Sequence, residues 1–355
     1  MDNFHNKWLI NILPILPYRI SLFFQLDETQ KYSFHNIAVA RPFKTERQRT
    51  VFGVNLLQQD GILDRWGNNN IVAYEYKIKS LGFNAGIYHG LSKNIYGGIA
   101  LGHLSKNIYE PYVKERRMNN LYLGISSIQR RYISVKNLNN FNRPGDITLG
   151  YSYAVGGTIS DDPSNNFALS GQIIYNTMLN DNFFSLHAAS LQSYYRRNNS
   201  LRFGYATPII WNARLIMNIG YSSILNGDDD DYYIFGSRST LRGFPNQGRV
   251  GAECTFMNIE TGFFPDLSFK TIKFSPVVFL DVLSVIKGSP SERYEFGGGF
   301  GIRMASSRSN DRKTIRFEIA SQLTHGRFEP TYIIITGIPF RAVADITHFL
   351  PGIID

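Results

Sequence analysis

The sequence predicts an all-β protein, a closed antiparallel transmembrane β-barrel of about 16 strands. Three observations carry that expectation. Apolar and polar residues alternate with period two over much of the chain, the pattern of strands with one face in an apolar environment. Aromatic residues make up 14% of the 355 residues while charged ones reach only 18%, below the roughly one quarter usual in soluble domains. Between the alternating runs lie stretches such as GDDDDYY, DDPSNN and NLNNFNRPGD, whose Asn, Asp, Gly and Pro end strands and build turns.

Strands are expected near 32–42, 49–57, 72–79, 82–91, 95–104, 119–136, 146–158, 167–175, 182–195, 200–209, 212–225, 249–263, 273–283, 293–304, 314–321 and 331–340. Four show the alternation most openly. VAYEYKIK sets Val72, Tyr74, Tyr76 and Ile78 against Ala73, Glu75, Lys77 and Lys79. Phe167, Leu169, Ile173 and Tyr175 share one face of their strand. RYEFGGGFGIRM puts Tyr294, Phe296, Phe300, Ile302 and Met304 opposite Glu295, three glycines and Arg303. TIRFEIAS puts Ile315, Phe317 and Ile319 opposite Arg316, Glu318 and Ala320. Residues 1–31 are then an N-terminal segment, 32–340 the barrel and 341–355 a C-terminal tail. The hexapeptide LSKNIY occurs at Leu91–Tyr96 and Leu104–Tyr109; two copies in a biased composition read as coincidence.

A soluble sandwich would share the alternation, with its apolar face buried and its polar face wet. The barrel is favoured because aromatics are abundant, as interfacial girdles require. Strands of about ten residues cross a bilayer at a tilt, no helical layer is present to cover so much sheet, and closure removes edges that lipid cannot satisfy.

Composition narrows the class further. The most apolar stretch, LINILPILPYRI at Leu9–Ile20, falls short of the roughly 20 residues of a spanning helix and is broken by Pro14 and Pro17. It has no basic flank or small-residue cleavage site, so it does not read as a secretory signal, and the Arg-rich pattern of a matrix presequence is missing too. Cys254, the single cysteine, excludes an internal disulfide and reads as a small strand residue. The net charge of +9 is scattered, so nucleic acid is not an expected partner. The seven histidines are dispersed, with no HExxH or Cys/His ligand spacing. No GxSxG elbow or phosphate-binding loop is present, and Asp228–Asp231 lacks the ligand spacing of a calcium loop. The expectation is a protein without cofactor or metal that is not an enzyme.

One constellation stands out. GSRSTLRGFPNQG at 236–248 hinges a charge and an aromatic, Arg242 and Phe244, on Gly243. VFLD at Val278–Asp281 places Phe279 and Asp281 on one strand face, with Val278 and Leu280 on the other. If the aliphatic pair faces lipid, Asp281 points into the lumen and needs a cation. An arginine on an inward-folded loop could supply it bidentately. Gly297, Gly299 and Gly301 face the same way and leave room for a loop tip at the wall, and Gly243 allows that tip to turn sharply.

At these residues the chain resembles the superfamily of outer-membrane barrel-assembly and two-partner-secretion proteins, of BamA, TamA and FhaC type, with the barrel of the mitochondrial sorting and assembly machinery. Leu241-Arg242-Gly243-Phe244 looks like its loop motif before the twelfth strand, and Phe279-Leu280-Asp281 like the strand motif that receives it. The resemblance adds Glu260 in NIETGFFP as the acidic residue on the strand between, and GGGFGIR as the strand after. DITLGYSYAVGGTISDDPSNNFALSG is similar to the family's central hairpin. The likeness runs from about 146 to 340. It departs from the family in residues 1–31, too few for the α/β modules usually found ahead of the barrel, and in a tail after the last expected strand.

The resemblance implies a membrane insertase that assembles β-barrel proteins through a lateral seam between first and last strands. Gly337 and Pro339 in TYIIITGIPF suit a weak seam, because proline donates nothing to a ladder. Implied partners are the outer-membrane lipid bilayer, unfolded β-barrel clients and accessory assembly subunits. The alternatives are a secretion channel or passive pore of the same superfamily, or the barrel part of a larger protein. With no secretory signal in the opening residues, a mitochondrial outer membrane is favoured over a bacterial one.

Overall fold

The computed structural model describes residues 6–12, 21–29, 32–41, 50–67, 70–92, 95–110, 113–138, 141, 144–161, 167–193, 197–225, 233–235, 241–244, 249–289, 293–306, 314–324 and 330–336. All the regular structure in them is antiparallel β. In chain order the strands are β1 (Asn6–Ile12), β2 (Ser21–Thr29), β3 (Tyr32–Arg41), β4 (Thr50–Gly67), β5 (Asn70–Ser92), β6 (Ile95–Glu110), β7 (Val113–Lys136), β8 (Pro144–Ser160), β9 (Phe167–Leu179) and β10 (Asn182–Ser193). There follow β11 (Arg197–Ala206), β12 (Ala213–Leu225), β13 (Tyr233–Phe235), β14 (Arg249–Phe263), β15 (Ser268–Phe269), β16 (Ile272–Ser289), β17 (Arg293–Ser306), β18 (Ile315–Gln322) and β19 (Thr331–Thr336). Sequential neighbours pair except at β13 and β15, short strands of three and two residues that pair with β14 and β16; β12 pairs directly with β14, and β14 with β16. Turns at one end are tight: Asn180-Asp181 and Trp211-Asn212 each take left-handed φ at both residues, the backbone of a two-residue hairpin turn.

The alternation produces an inverted protein. Leu123, Ile125, Val155, Leu169, Phe300 and Ile334 are exposed along the strands, while Ser152, Asn176, Asn258, Glu260, Asp281 and Glu318 are buried. A soluble sandwich would bury the first set and wet the second. An apolar surface of this extent needs lipid or a partner. TIRFEIAS shows the rule in one strand, with Ile315 and Phe317 exposed and Arg316 and Glu318 buried. Phe167, Leu169, Ile173 and Tyr175 are exposed together, and so are Tyr294, Phe296, Phe300 and Ile302.

Apart from the short β13 and β15, which were not expected, the strand list differs from the expected one in two places. The sheet begins earlier, because β1 and β2 lie inside residues 1–31. Runs such as Leu22–Phe24 are apolar on both faces and conceal their period. The segments 72–79 and 82–91 are one strand, the 23-residue β5. Its apolar phase moves from even positions up to Ile78 to odd positions from Leu81, which reads as a break although the backbone runs on; the side chains of 72–78 lie outside the described residues. With two strands gained and one pair merged, the loop expected before the twelfth strand lies between β12 and β14. The LSKNIY copies are structurally unrelated, one running from β5 into β6 and the other inside β6.

Among the described residues β1 pairs only with β2 and β19 only with β18, and no register joins β1 to β19. Over those residues the sheet is an open meander, and they do not show the closure expected. The expected seam between 32–42 and 331–340 is also displaced: β3 is paired along both edges, with β2 and with β4, and the strands at the edges are β1 and β19. Gly337 and Pro339 lie outside the described residues.

The two faces give a direct test in reconstituted protein. A nitroxide at Leu169 should be relaxed by oxygen dissolved in lipid, and one at neighbouring Ser170 by a water-soluble nickel chelate. The opposite pattern would return the chain to the soluble two-layer class.

Candidate functional site

Arg242 sits at the tip of the loop between β12 and β14 and is buried, with Leu241 and Phe244 on either side. The loop's described residues, 241–244, are all buried and do not project into solvent. Its backbone turns at Gly243, whose φ of +89° favours glycine, and the space a Cβ would need there is taken by the backbone of Ser321, 2.7 Å away. Leu241 and Phe244 pack with Cys254, Phe256, Leu283 and Val285, so an apolar clamp holds the tip. Cys254 is a buried strand residue, as expected.

The guanidinium is consumed by the wall. Its Nε donates to Asp281 Oδ2 at 2.8 Å and its Nη2 to Asp281 Oδ1 at 2.9 Å, a fork on a single carboxylate. The Arg242 backbone N–H donates to Asp281 Oδ2 at 2.9 Å as well. Nη1 turns the other way, to Glu260 Oε2 at 2.9 Å. Asn258 Nδ2 donates to Asp281 Oδ1 at 3.0 Å, and Arg303 Nη2 donates to Glu260 Oε1. The chain Asp281–Arg242–Glu260–Arg303 carries two negative and two positive charges, which is the condition for burying ions at all. The Arg242 carbon between the guanidinium nitrogens lies 3.6 Å from the centre of the Phe279 ring, a planar cation laid on an aromatic face. Burial alone would lower the pKa of Arg242. The hydrogen bond and charge of Asp281, with the charges of Glu260 and Glu318, raise it above the ordinary arginine value, so the lock stays charged.

Strand register supplies the receptor. Asn258 is paired with Asp281, Glu260 with Phe279, Phe279 with Gly299, and Asp281 with Gly297. A Cβ at Gly297 would collide with the Arg242 carbonyl, so the bare backbone of β17 is where the tip rests. Gly299 faces the same side beside Phe279. The structure thus brings together Arg242, Gly243, Phe244, Glu260, Phe279, Asp281, Gly297 and Gly299. Sequence reasoning missed Asn258 and the second guanidinium, Arg303. Both were within reach, since Asn258 is two residues before Glu260 and Arg303 shares the glycine face of β17.

By sequence the chain matches no protein-family model and no curated protein. By structure it is similar to BamA from Haemophilus ducreyi lacking POTRA domains 1–3, with a TM-score of 0.56 and 13% identity over 94% of this chain and 68% of that one. It is also similar to CdiB from Escherichia coli, TM-score 0.50 at 10% identity, and to CdiB from Acinetobacter baumannii, TM-score 0.50 at 12% identity. The likeness is one of fold. These are barrels of the kind to which the lock motif pointed. The chain spans 57% and 55% of the two CdiB chains.

The lock predicts a stability series. Arg242→Ala leaves the buried Asp281 carboxylate without its cation and Glu260 with Arg303 alone, a loss of about 3–5 kcal/mol, read as a lower urea midpoint of the folded protein in micelles. Arg242→Lys keeps the charge but not the fork or the ring contact, and should fall between. Gly297→Ala should resemble Arg242→Ala, because its methyl group displaces the loop. A wild-type midpoint for Arg242→Ala would show that the lock contributes nothing to stability.

Proposed function

We propose that the chain is an outer-membrane barrel that assembles other β-barrel proteins into its membrane by offering them an unclosed strand edge. The observation that carries this reading is the pair of edge strands. β1 and β19 span seven and six residues against the 23 of β5, and each has one neighbour among the described residues. An unpaired ladder in lipid leaves several kcal/mol per unsatisfied backbone group, and a client strand that pairs with it satisfies both. The locked loop supports the same reading, since a passive pore has no use for a four-charge anchor. No covalent chemistry is required, so the chain is proposed not to be an enzyme. Its partners are the bilayer and unfolded barrel clients. The three structural neighbours are bacterial proteins and lend no support to the mitochondrial placement favoured from the sequence.

A second reading, secretion of a polypeptide through the lumen, is favoured by the CdiB neighbours. The edge decides between them. Cysteines placed in pairs across it, one at Trp8, Ile10 or Ile12 and the other at Tyr332 or Ile334, go into a Cys254→Ala background. Alanine suits the apolar clamp that Cys254 helps to form. Oxidation of a pair that crosslinks should stop client insertion into vesicles, and reduction should restore it. Insertion at the normal rate with the edge crosslinked would remove lateral opening and put secretion first.

A further inference from the structure

Residues 130–136 and 144–150 leave the sheet. β7 pairs with β6 as far as Gln129, opposite Ile95, and β8 meets β9 only from Gly150, opposite Asn176. Between those points the two strands pair with each other, from Arg130↔Gly150 to Lys136↔Pro144. They form a two-stranded ribbon with Gly150, at φ +121°, at its hinge.

The ribbon has the opposite polarity from the wall. On β7 before the hinge the outward residues are apolar, with Leu121, Leu123 and Ile125 exposed. Past it, Ile147 and Leu149 are buried while Ser134, Lys136 and Asp146 are exposed. Such a ribbon faces water, not lipid. Its apolar face and the turn residue Leu138 pack on Phe183, Ala206 and Ile216, buried residues of β10, β11 and β12 at the end where the tight turns lie. Phe141 in the ribbon's turn stacks on Phe264, just after β14, with centroids 6.3 Å apart. The ribbon therefore reaches from β7 and β8 across to the far side of the turn end.

Arg214 on β12 pins it there. Nη1 donates to the carbonyls of Lys136 at 3.2 Å and Asn137 at 3.0 Å. Asn176 Nδ2 donates to the Thr148 carbonyl at 2.9 Å. Arg214 is buried, and its Nε has no acceptor. The contrast with Arg242 matters: one arginine is held by two carboxylates of opposite charge, the other by neutral carbonyls, so its bonds lack the ion-pair attraction and the bidentate fork. An isolated two-stranded ribbon is also marginal by itself, so its position depends on what it rests against.

We infer that the ribbon of 130–136 and 144–150, with Leu138 and Phe141 beyond it, is a flap that closes the turn-side mouth of the lumen, latched by Arg214, and that the lumen is shut to polypeptide while the flap is seated. The inference rests on the membrane-barrel reading but not on client insertion, and its test involves no client.

The probe is a membrane-impermeant maleimide on full-length protein in micelles, with Cys254→Ala as background. A thiol at Ala206, under the flap, should react far more slowly than one at exposed Asp266 on a neighbouring turn. Arg214→Gln should speed the Ala206 thiol about tenfold to a hundredfold, the shift in opening expected from losing hydrogen bonds to a charged donor. Phe141→Ser, which leaves the wall intact, should act in the same direction. In planar bilayers both variants should conduct more than the parent. Equal labelling of Ala206→Cys and Asp266→Cys in the intact latch overturns the flap. So does a Phe141→Ser protein that matches its parent in both labelling and conductance.

Discussion

Everything near the candidate site follows from one buried anion. Asp281 is fully enclosed on the inner face of β16, and a carboxylate there is tolerable only with a cation in contact. The cation that forks onto it arrives on a loop. That requirement explains the rest of the local sequence. Phe279 lies one step along the same face and carries the guanidinium plane. Glu260 occupies the third donor, and Arg303 balances Glu260. The glycine at 297 remains bare because the loop backbone fills its side-chain space.

Two segments fold inward from opposite ends of the sheet, and their acceptors set how firmly each is held. The loop between β12 and β14 ends in a forked ion pair inside an apolar clamp. The ribbon at the turn end rests on aliphatic contacts and two arginine–carbonyl bonds. Breaking the first uncovers charge in a low-dielectric interior, whereas breaking the second returns an arginine and two carbonyls to water that solvates all three well. A permanent anchor and a releasable cover are therefore built from the same residue type with different partners.

Much of the lock was legible because it depends on parity. In a strand, residues two apart share a face, so Phe279 with Asp281 and Gly297 with Gly299 could be placed together before any fold was known. A turn glycine beside an arginine supplied the complement. The edges were not legible for the same reason. β1 and β2 carry apolar residues on both faces, and period-two reading fails where one face is not polar. β5 changes apolar phase midway, so one strand read as two. The ribbon was hidden differently: 119–136 and 146–158 alternate correctly as strands, but the wall changes to a water-facing flap at Gln129 and Gly150 through pairing partners. Pairing is a property of the sheet and not of either strand.

The distribution of these features along the chain divides the labour. Asp281 and Phe279, which hold Arg242, come from β16, Glu260 and Asn258 from β14, the balancing Arg303 from β17, and the backbone under Gly243 from β18. These parts of the lock lie within four neighbouring strands and the loop before them. The flap uses the middle of the chain, β7 to β12 with Phe264 beyond, and β1 and β19, with one neighbour each among the described residues, lie at the two ends. Because the lock closes over short sequence separations, its loop-entropy cost is small. Joining β1 to β19 spans the whole chain and joins only two short ladders. Among the described residues the four-charge lock is built into the strands that lead up to β19, so this part of the sheet is held together by more than its backbone ladders.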